Sequence, residues 1–312
     1  MNAALFPGQG SQYLGMGEFL YKNFKSTKLL FEEAGDVLKK DFKKLCFLSD
    51  EETLKITTNT QPSLLLISFA SFTVLKNNLG LNFSHLAGHS VGEYSALVAS
   101  KVISFSDSLK ALQIRADNMS KAPSGGMTAI IGLSQDEVIF ICQKASQETN
   151  TFVSPANVNS NEQIVISGEL KALTWLQKNK NTFYSQKKWK AIALKVSSAF
   201  HSPLMSETEK VMTKYLNTIS FKDAENFILP NANPLPTKKA DELKKLLCNQ
   251  ICAPVEWVKT MDNLKNNQIQ SCIEVGPKKV LHSLMKKTYP EIKVYPMDSL
   301  SDIKSIEDNF CT

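Results

Sequence analysis

The sequence predicts an α/β protein: a large parallel-sheet domain made of residues 1–124 and 197–312, interrupted by a small βαββαβ domain at 125–196. Three observations predict it. Short apolar runs alternate with amphipathic segments through both outer parts of the chain, the pattern of strands followed by covering helices. Ser90 stands in Gly88-His89-Ser90-Val91-Gly92, between an apolar run and a helical one, with a glycine two residues away on either side. After Pro123-Ser124-Gly125-Gly126 the order of elements changes, and it returns to the first pattern from Ser197 onward.

Ala3–Phe6 is a short apolar strand that ends in the glycine-rich turn Pro7-Gly8-Gln9-Gly10-Ser11-Gln12. A helix follows near Gly17–Phe24, then amphipathic segments at Lys28–Lys39 and Ser63–Lys76, the second starting at Pro62 because proline suits a first helical position. The strand around His85–Gly88 leads through Ser90 into a helix at Gly92–Ser100, and a further helix over Asp107–Ala122 takes its cap from Ser106 or Asp107. In the middle part, Met127–Leu133, Phe152–Val158, Gln163–Ser167 and Ala191–Val196 read as strands, with helices at Gln135–Ser146 and Leu170–Lys178. That βαββαβ order is the ferredoxin-like arrangement, whose terminal strands lie close enough for insertion into a host domain. The outer domain finishes with strands near Phe227–Pro230, Ser271–Val275 and Lys293–Tyr295, and with helices that include Asp241–Ile251. A serine on a tight strand-to-helix turn makes this outer domain α/β-hydrolase-like, because such an elbow lifts the hydroxyl clear of the sheet.

Composition excludes several classes. The 312 residues are 43% hydrophobic, ordinary for a soluble globular protein, and no basic segment followed by an apolar one opens the chain. The longest apolar segment, Leu64–Leu75, is interrupted by Ser68, Ser71 and Thr73, so it reads as a buried helix and not a membrane span. Six cysteines lack metal-ligand spacing with histidine, which points to reduced thiols, a cytoplasmic protein and no metal. The net charge of +6 rests on 36 basic residues, of which Arg115 is the single arginine. Aromatics do not interleave with the lysines as a nucleic-acid groove requires, whereas an acidic protein partner suits the positive balance.

A reactive serine needs a base, and there are four histidines. His89 is next to Ser90, where neighbouring side chains diverge; His85 precedes the strand and reads as structural; His282 lies in a lysine-rich helix. His201 follows the strand Ala191–Val196, at the edge where open α/β sheets hold their ligands, so it is the candidate base, against the plainer reading of a loop histidine that only packs.

The residues resemble the malonyl-CoA:acyl carrier protein transacylase family over nearly the whole chain. The resemblance rests on Phe6–Gln12, Gly88–Tyr94, Gln113–Met119 with Arg115, the stretch through His201, Asn249–Trp257 with Gln250, and Glu274–Pro277, in the family's order and spacing. It implies that Ser90 attacks a malonyl thioester and releases coenzyme A, after which the phosphopantetheine thiol of acyl carrier protein takes the acyl group. His201 then moves the proton, and a main-chain carbonyl near Gln250 orients it in place of a triad acid. Backbone N–H groups of Gln9 and Val91 form the oxyanion hole. Arg115 grips the malonyl carboxylate with two parallel hydrogen bonds that lysine cannot reproduce. Met119 and Phe200 belong to the acyl pocket, where a bulky Phe200 excludes a methylmalonyl branch. Asn157 and Asn159, in Pro155–Ser160, either line the cleft or cap a turn. Lys187, Lys188 and Lys190 face the acidic carrier or are a solvated loop. The resemblance further implies a monomer with no cofactor, serving fatty acid synthesis.

Two other classes compete. A simple serine esterase uses the same Ser90 and His201 but has no use for a carboxylate-binding arginine. A non-catalytic protein on this fold would be expected to lack Ser90, His201 or Arg115, and all three are present.

Overall fold

In the computed structural model, which describes residues 1–196 and 198–311, strands β1 (Asn2–Phe6), β2 (His85–Gly88), β7 (Phe227–Leu229), β8 (Ser271–Val275) and β9 (Lys293–Met297) form one sheet in the order β7-β2-β1-β8-β9. All four pairings are parallel, with Phe6 opposite Gly88 at the carboxyl edge. Parallel strands covered on both faces must be apolar throughout, and Ala3, Ala4, Leu5 and Phe6 are completely buried. The helix Gly92–Ala99 that leaves the elbow is buried on every side. Glu93 is its one charged residue.

The second sheet holds β3 (Gly126–Ile131), β4 (Val153–Ser160), β5 (Gln163–Gly168) and β6 (Lys190–Ala193) in the order β4-β5-β3-β6, antiparallel throughout. Helices Gln135–Thr149 and Leu170–Asn179 pack on it around Val138, Ile141, Ile164, Ile166 and Leu176. Two bridges join this sheet to the rest of the chain. Ser124 pairs with Ser198 where the chain crosses in and out, and Val255 exchanges hydrogen bonds with Ala156 and Val158. The expected boundary residue Ser197, like the terminal Thr312, lies outside the described residues.

Several boundaries differ from expectation. The long helix is Thr57–Asn77, so Pro62 falls inside it and not at its start. Proline leaves the carbonyl four residues earlier without its helical donor. Here Lys40 Nζ donates to the Thr58 carbonyl at 2.9 Å, which satisfies that group from a distant part of the chain. The helix Phe105–Ser120 begins before the expected Asp107, because Ser104 and not Ser106 or Asp107 caps it, accepting from the Asp107 N–H. Strand β6 stops at Ala193, short of Val196, and Leu194 and Val196 instead line a cavity over Ser90.

Candidate active site

The site lies beyond the carboxyl ends of β7, β2 and β1, with one further segment from the small sheet and two helices closing around it. The elbow needs its glycines for close approach: a Cβ on Gly88 would collide with the Gly92 carbonyl, and one on Gly92 would collide with the Phe6 carbonyl. Between them Ser90 takes φ 50°, in the left-handed region that ordinary residues avoid. His201 is held the same way, at φ 55°. Both residues store backbone strain that the surroundings must restrain.

Ser90 Oγ lies 2.8 Å from His201 Nε2, and His201 Nδ1 lies 3.0 Å from the carbonyl oxygen of Gln250. A carbonyl only accepts, so Nδ1 carries the proton and Nε2 presents its lone pair to the Ser90 hydroxyl. Burial and the neighbouring Arg115 guanidinium lower the imidazole to about 3, which keeps it neutral at ordinary pH. Gln250 follows the helix Ala240–Asn249 and is completely buried behind the serine.

Arg115 comes from the helix Phe105–Ser120 and is 1% exposed. Its two terminal nitrogens donate to Gln61 Oε1 at 2.8 Å, to Gln250 Oε1 at 3.1 Å and to Ser90 Oγ at 3.3 Å. Its Nε–H has no acceptor among the described residues. Charged side chains are seldom buried with donors to spare, and no carboxylate bonds this guanidinium directly among the described residues. The arrangement can hold an anion beside Ser90 Oγ.

A cavity of about 110 Å³ opens over these groups, lined by Gln9, Val91, Met119, Asn157, Phe200 and His201 among others. Gln250 supports it from behind without lining it. Asn157 and Asn159 belong to β4 and not to a turn, so the capping reading fails. Asn157 and His89 both line the cavity, and Asn159 Oδ1 sits 2.8 Å from His89 Nε2, whose ring packs beside Trp257. His85 stacks on Phe227 at the far end of β2. Lys187 is engaged by Glu137 at 2.6 Å, which leaves Lys188 and Lys190 as exposed cations of that stretch.

Sequence reasoning missed three residues. Gln61, in the turn before Pro62, fixes Arg115 from the side opposite Gln250. Asn231, just past β7, accepts the Ser90 backbone N–H at 2.6 Å and donates to the Gly88 carbonyl. Glu93 is 1% exposed and accepts from Gln250 Nε2 at 2.8 Å and from the Asn231 N–H at 3.0 Å. The signal for Glu93 was present, as a lone charge in the apolar run Gly92–Ala99. Asn231, between two prolines in Pro230–Pro234, reads locally as a turn residue and carried no such signal.

A serine paired with a neutral imidazole at a parallel-sheet edge defines a class, the acyl-transferring and acyl-hydrolysing serine enzymes, and the acyl transferase domain model matches residues 4–306 of this chain. Malonyl CoA-acyl carrier protein transacylase of Bacillus subtilis is 36% identical over 310 residues, covering 98% of this chain and 76% of that protein. The Staphylococcus aureus (strain MRSA252) protein of the same name is also 36% identical, covering 98% of each. Among solved structures, the transacylase of Coxiella burnetii superposes with a TM-score of 0.94 at 30% identity, covering 100% of this chain and 98% of that one. A malonyl-transacylase in complex with the holo acyl carrier protein of a type II polyketide system superposes with a TM-score of 0.93 at 32% identity, covering 99% of both chains. The chain belongs to the malonyl CoA-acyl carrier protein transacylase family of acyltransferases.

Proposed function

We propose that this chain moves a malonyl group from coenzyme A to the phosphopantetheine thiol of acyl carrier protein, through an ester on Ser90, and so supplies fatty acid synthesis. The observation that carries the reading is the buried Arg115 guanidinium, 3.3 Å from Ser90 Oγ with its Nε–H unspent. An esterase for neutral acyl groups would have no use for it.

In the acylation step His201 Nε2 takes the Ser90 proton as Oγ bonds to the thioester carbon. The oxyanion is received by the N–H groups of Gln9 and Val91, for which no acceptor exists among the described residues. Each such donor contributes on the order of 3 kcal/mol to the transition state. Imidazolium then returns its proton to the departing coenzyme A thiolate, and the carrier thiol reverses the sequence. A thiolate leaves readily, so a carbonyl in place of a triad acid suffices to orient His201. The malonyl carboxylate also offsets the Arg115 charge, the second cause of the depressed His201 basicity, so the base strengthens when the acidic acyl group is seated.

Phe200, 7% exposed at the cavity wall, would disfavour a methyl branch by about 1–3 kcal/mol. Lys190, the first residue of β6, and Lys188, two residues before it, suit an acidic carrier. We read residues 1–124 and 197–312 as an α/β-hydrolase-like catalytic domain and 125–196 as a ferredoxin-like insert. The strand order β4-β5-β3-β6 and the Ser124–Ser198 bridge support that division. No helix among the described residues is long and apolar enough to cross a membrane. Incubation with radiolabelled malonyl-CoA tests the reading: label should remain on Ser90 without carrier and pass to the carrier thiol when it is added. Label released as free malonate at the same rate with or without carrier would end it.

A further inference from the structure

Glu93 lies beneath the elbow, one residue into the helix Gly92–Ala99, and its Oε2 is the meeting point of two chains of hydrogen bonds. One runs through Asn231, whose backbone N–H donates to Glu93 while its side-chain amide accepts the Ser90 N–H and donates to the Gly88 carbonyl. The other runs through Gln250, whose Nε2 donates to Glu93 at 2.8 Å and to the Ser90 carbonyl at 3.0 Å. Gln250 Oε1 accepts from Arg115, and its main-chain oxygen accepts from His201.

The chemistry of the end groups fixes the chain through Gln250. A carboxylate only accepts and a guanidinium only donates, so an amide between Glu93 and Arg115 has one possible orientation. With Glu93 removed, Gln250 Nε2 keeps the Ser90 carbonyl as its one acceptor, so the amide that presents Oε1 to Arg115 is held at one point where it was held at two. Ser90 needs the restraint as well, because a non-glycine residue at φ 50° stays there only when its neighbours hold it.

We propose that Glu93 is a positioning residue with two separable arms: through Asn231 it holds the strained backbone of Ser90, and through Gln250 it sets the direction of Arg115 and so the preference for an acidic acyl group. The second arm rests on the malonyl reading above; the first does not. Glu93 touches neither substrate nor the reacting atoms.

The test compares Glu93→Gln, Glu93→Asp and Asn231→Ala with the parent by three measurements: labelling of Ser90 with a fluorophosphonate, acylation by malonyl-CoA against acetyl-CoA, and melting temperature. Asn231→Ala should slow fluorophosphonate labelling and both acylations by one common factor, about ten- to a hundredfold, the loss of a well-buried hydrogen bond at the reacting residue. Glu93→Gln should slow labelling similarly and, in addition, lower the malonyl-to-acetyl ratio about tenfold. Glu93→Asp, which keeps the charge, should recover part of both losses, and it serves in place of the amide variant if that one does not fold. A Glu93→Gln protein with parental labelling rate and parental acyl ratio overturns the proposal. So does one whose melting temperature falls while the ratio holds, since that is a packing role alone. If the parent itself labels with fluorophosphonate but shows no malonyl preference, the malonyl reading and the second arm fail, while the labelling rates still decide the first.

Discussion

Two cavities of this molecule differ in the reverse of the order that size suggests. The groove between helices Lys25–Leu38 and Thr57–Asn77 encloses about 410 Å³ and is walled by Leu29, Leu30, Phe69, Phe72 and Phe83. The cavity over Ser90 encloses about 110 Å³. Yet only the smaller one has converging polar groups with displaced titration, His201 and Arg115, and both Ser90 and His201 of its walls sit in left-handed backbone, where the groove has Lys101 alone. Volume measures where the packing of side chains fails. Chemistry needs the opposite: a small space whose walls are held so firmly that strain and buried charge survive there.

The comparison can be broken at several points, and the largest effect should come from the smaller cavity. Ser90→Ala should remove the malonyl adduct seen by intact-protein mass spectrometry and lower transfer by roughly 10⁴-fold or more. Next, His201→Ala should cost about 10²–10⁴-fold in acylation rate, read as the burst of coenzyme A released. Arg115→Lys keeps a positive charge but not the paired donors, so the malonyl-to-acetyl ratio in a competition assay should fall about tenfold or more. An unchanged ratio would sever Arg115 from substrate choice.

A smaller effect concerns a second buried carboxylate, Glu274, which accepts the N–H groups of Leu281 and His282 at the start of the helix Val280–Thr288. Burial pushes it up to about 7 from its ordinary 4.5. A carboxyl raised on folding binds more protons in the native state, so its contribution is fully present below pH 4.5 and declines as pH rises to about 7. The margin by which the parent melts above a Glu274→Gln variant should therefore narrow between pH 4.5 and 7. A margin that widens over that range would contradict the assignment. His201 runs the other way: lowered on folding, it favours the native state above its unfolded value of 6.5, and this is lost as pH falls towards about 3. The smallest effect belongs to the large groove, where Leu29→Lys, at a residue 54% exposed, should leave transfer unchanged within about twofold. A marked loss there would make the groove part of the functional machinery.

Much of the site was legible because local chemistry has few solutions. A serine between two close-approach glycines and one arginine in a chain of lysines are each visible in a few consecutive residues; His201 was singled out by its place after a strand, although β6 ends eight residues before it and belongs to the small antiparallel sheet. The strands of both sheets were legible for the same reason, since β1 in one and β3 in the other are largely apolar runs that end at turn residues. Helix starts were less so. Ser104 and Ser106 are equally good caps on paper, and the carbonyl that Pro62 leaves free inside its helix is taken up by Lys40, from outside that helix. Asn231 could not be found by any local rule, because what distinguishes it from other turn asparagines is that β7 lies beside β2.

By itself the sequence indicated the α/β alternation, the order of strands and helices in both parts of the chain and the serine between close-approach glycines, and it singled out His201 and Arg115 as the candidates beside that serine. These follow from backbone stereochemistry and side-chain type, which act over a handful of residues. Only the tertiary structure decided that Glu93, Asn231, Gln250 and Gln61 meet around Ser90 and Arg115. Their roles are hydrogen bonds between residues from about 50 to 160 positions apart, and such bonds acquire their direction and strength only when burial excludes the water that would otherwise satisfy each group.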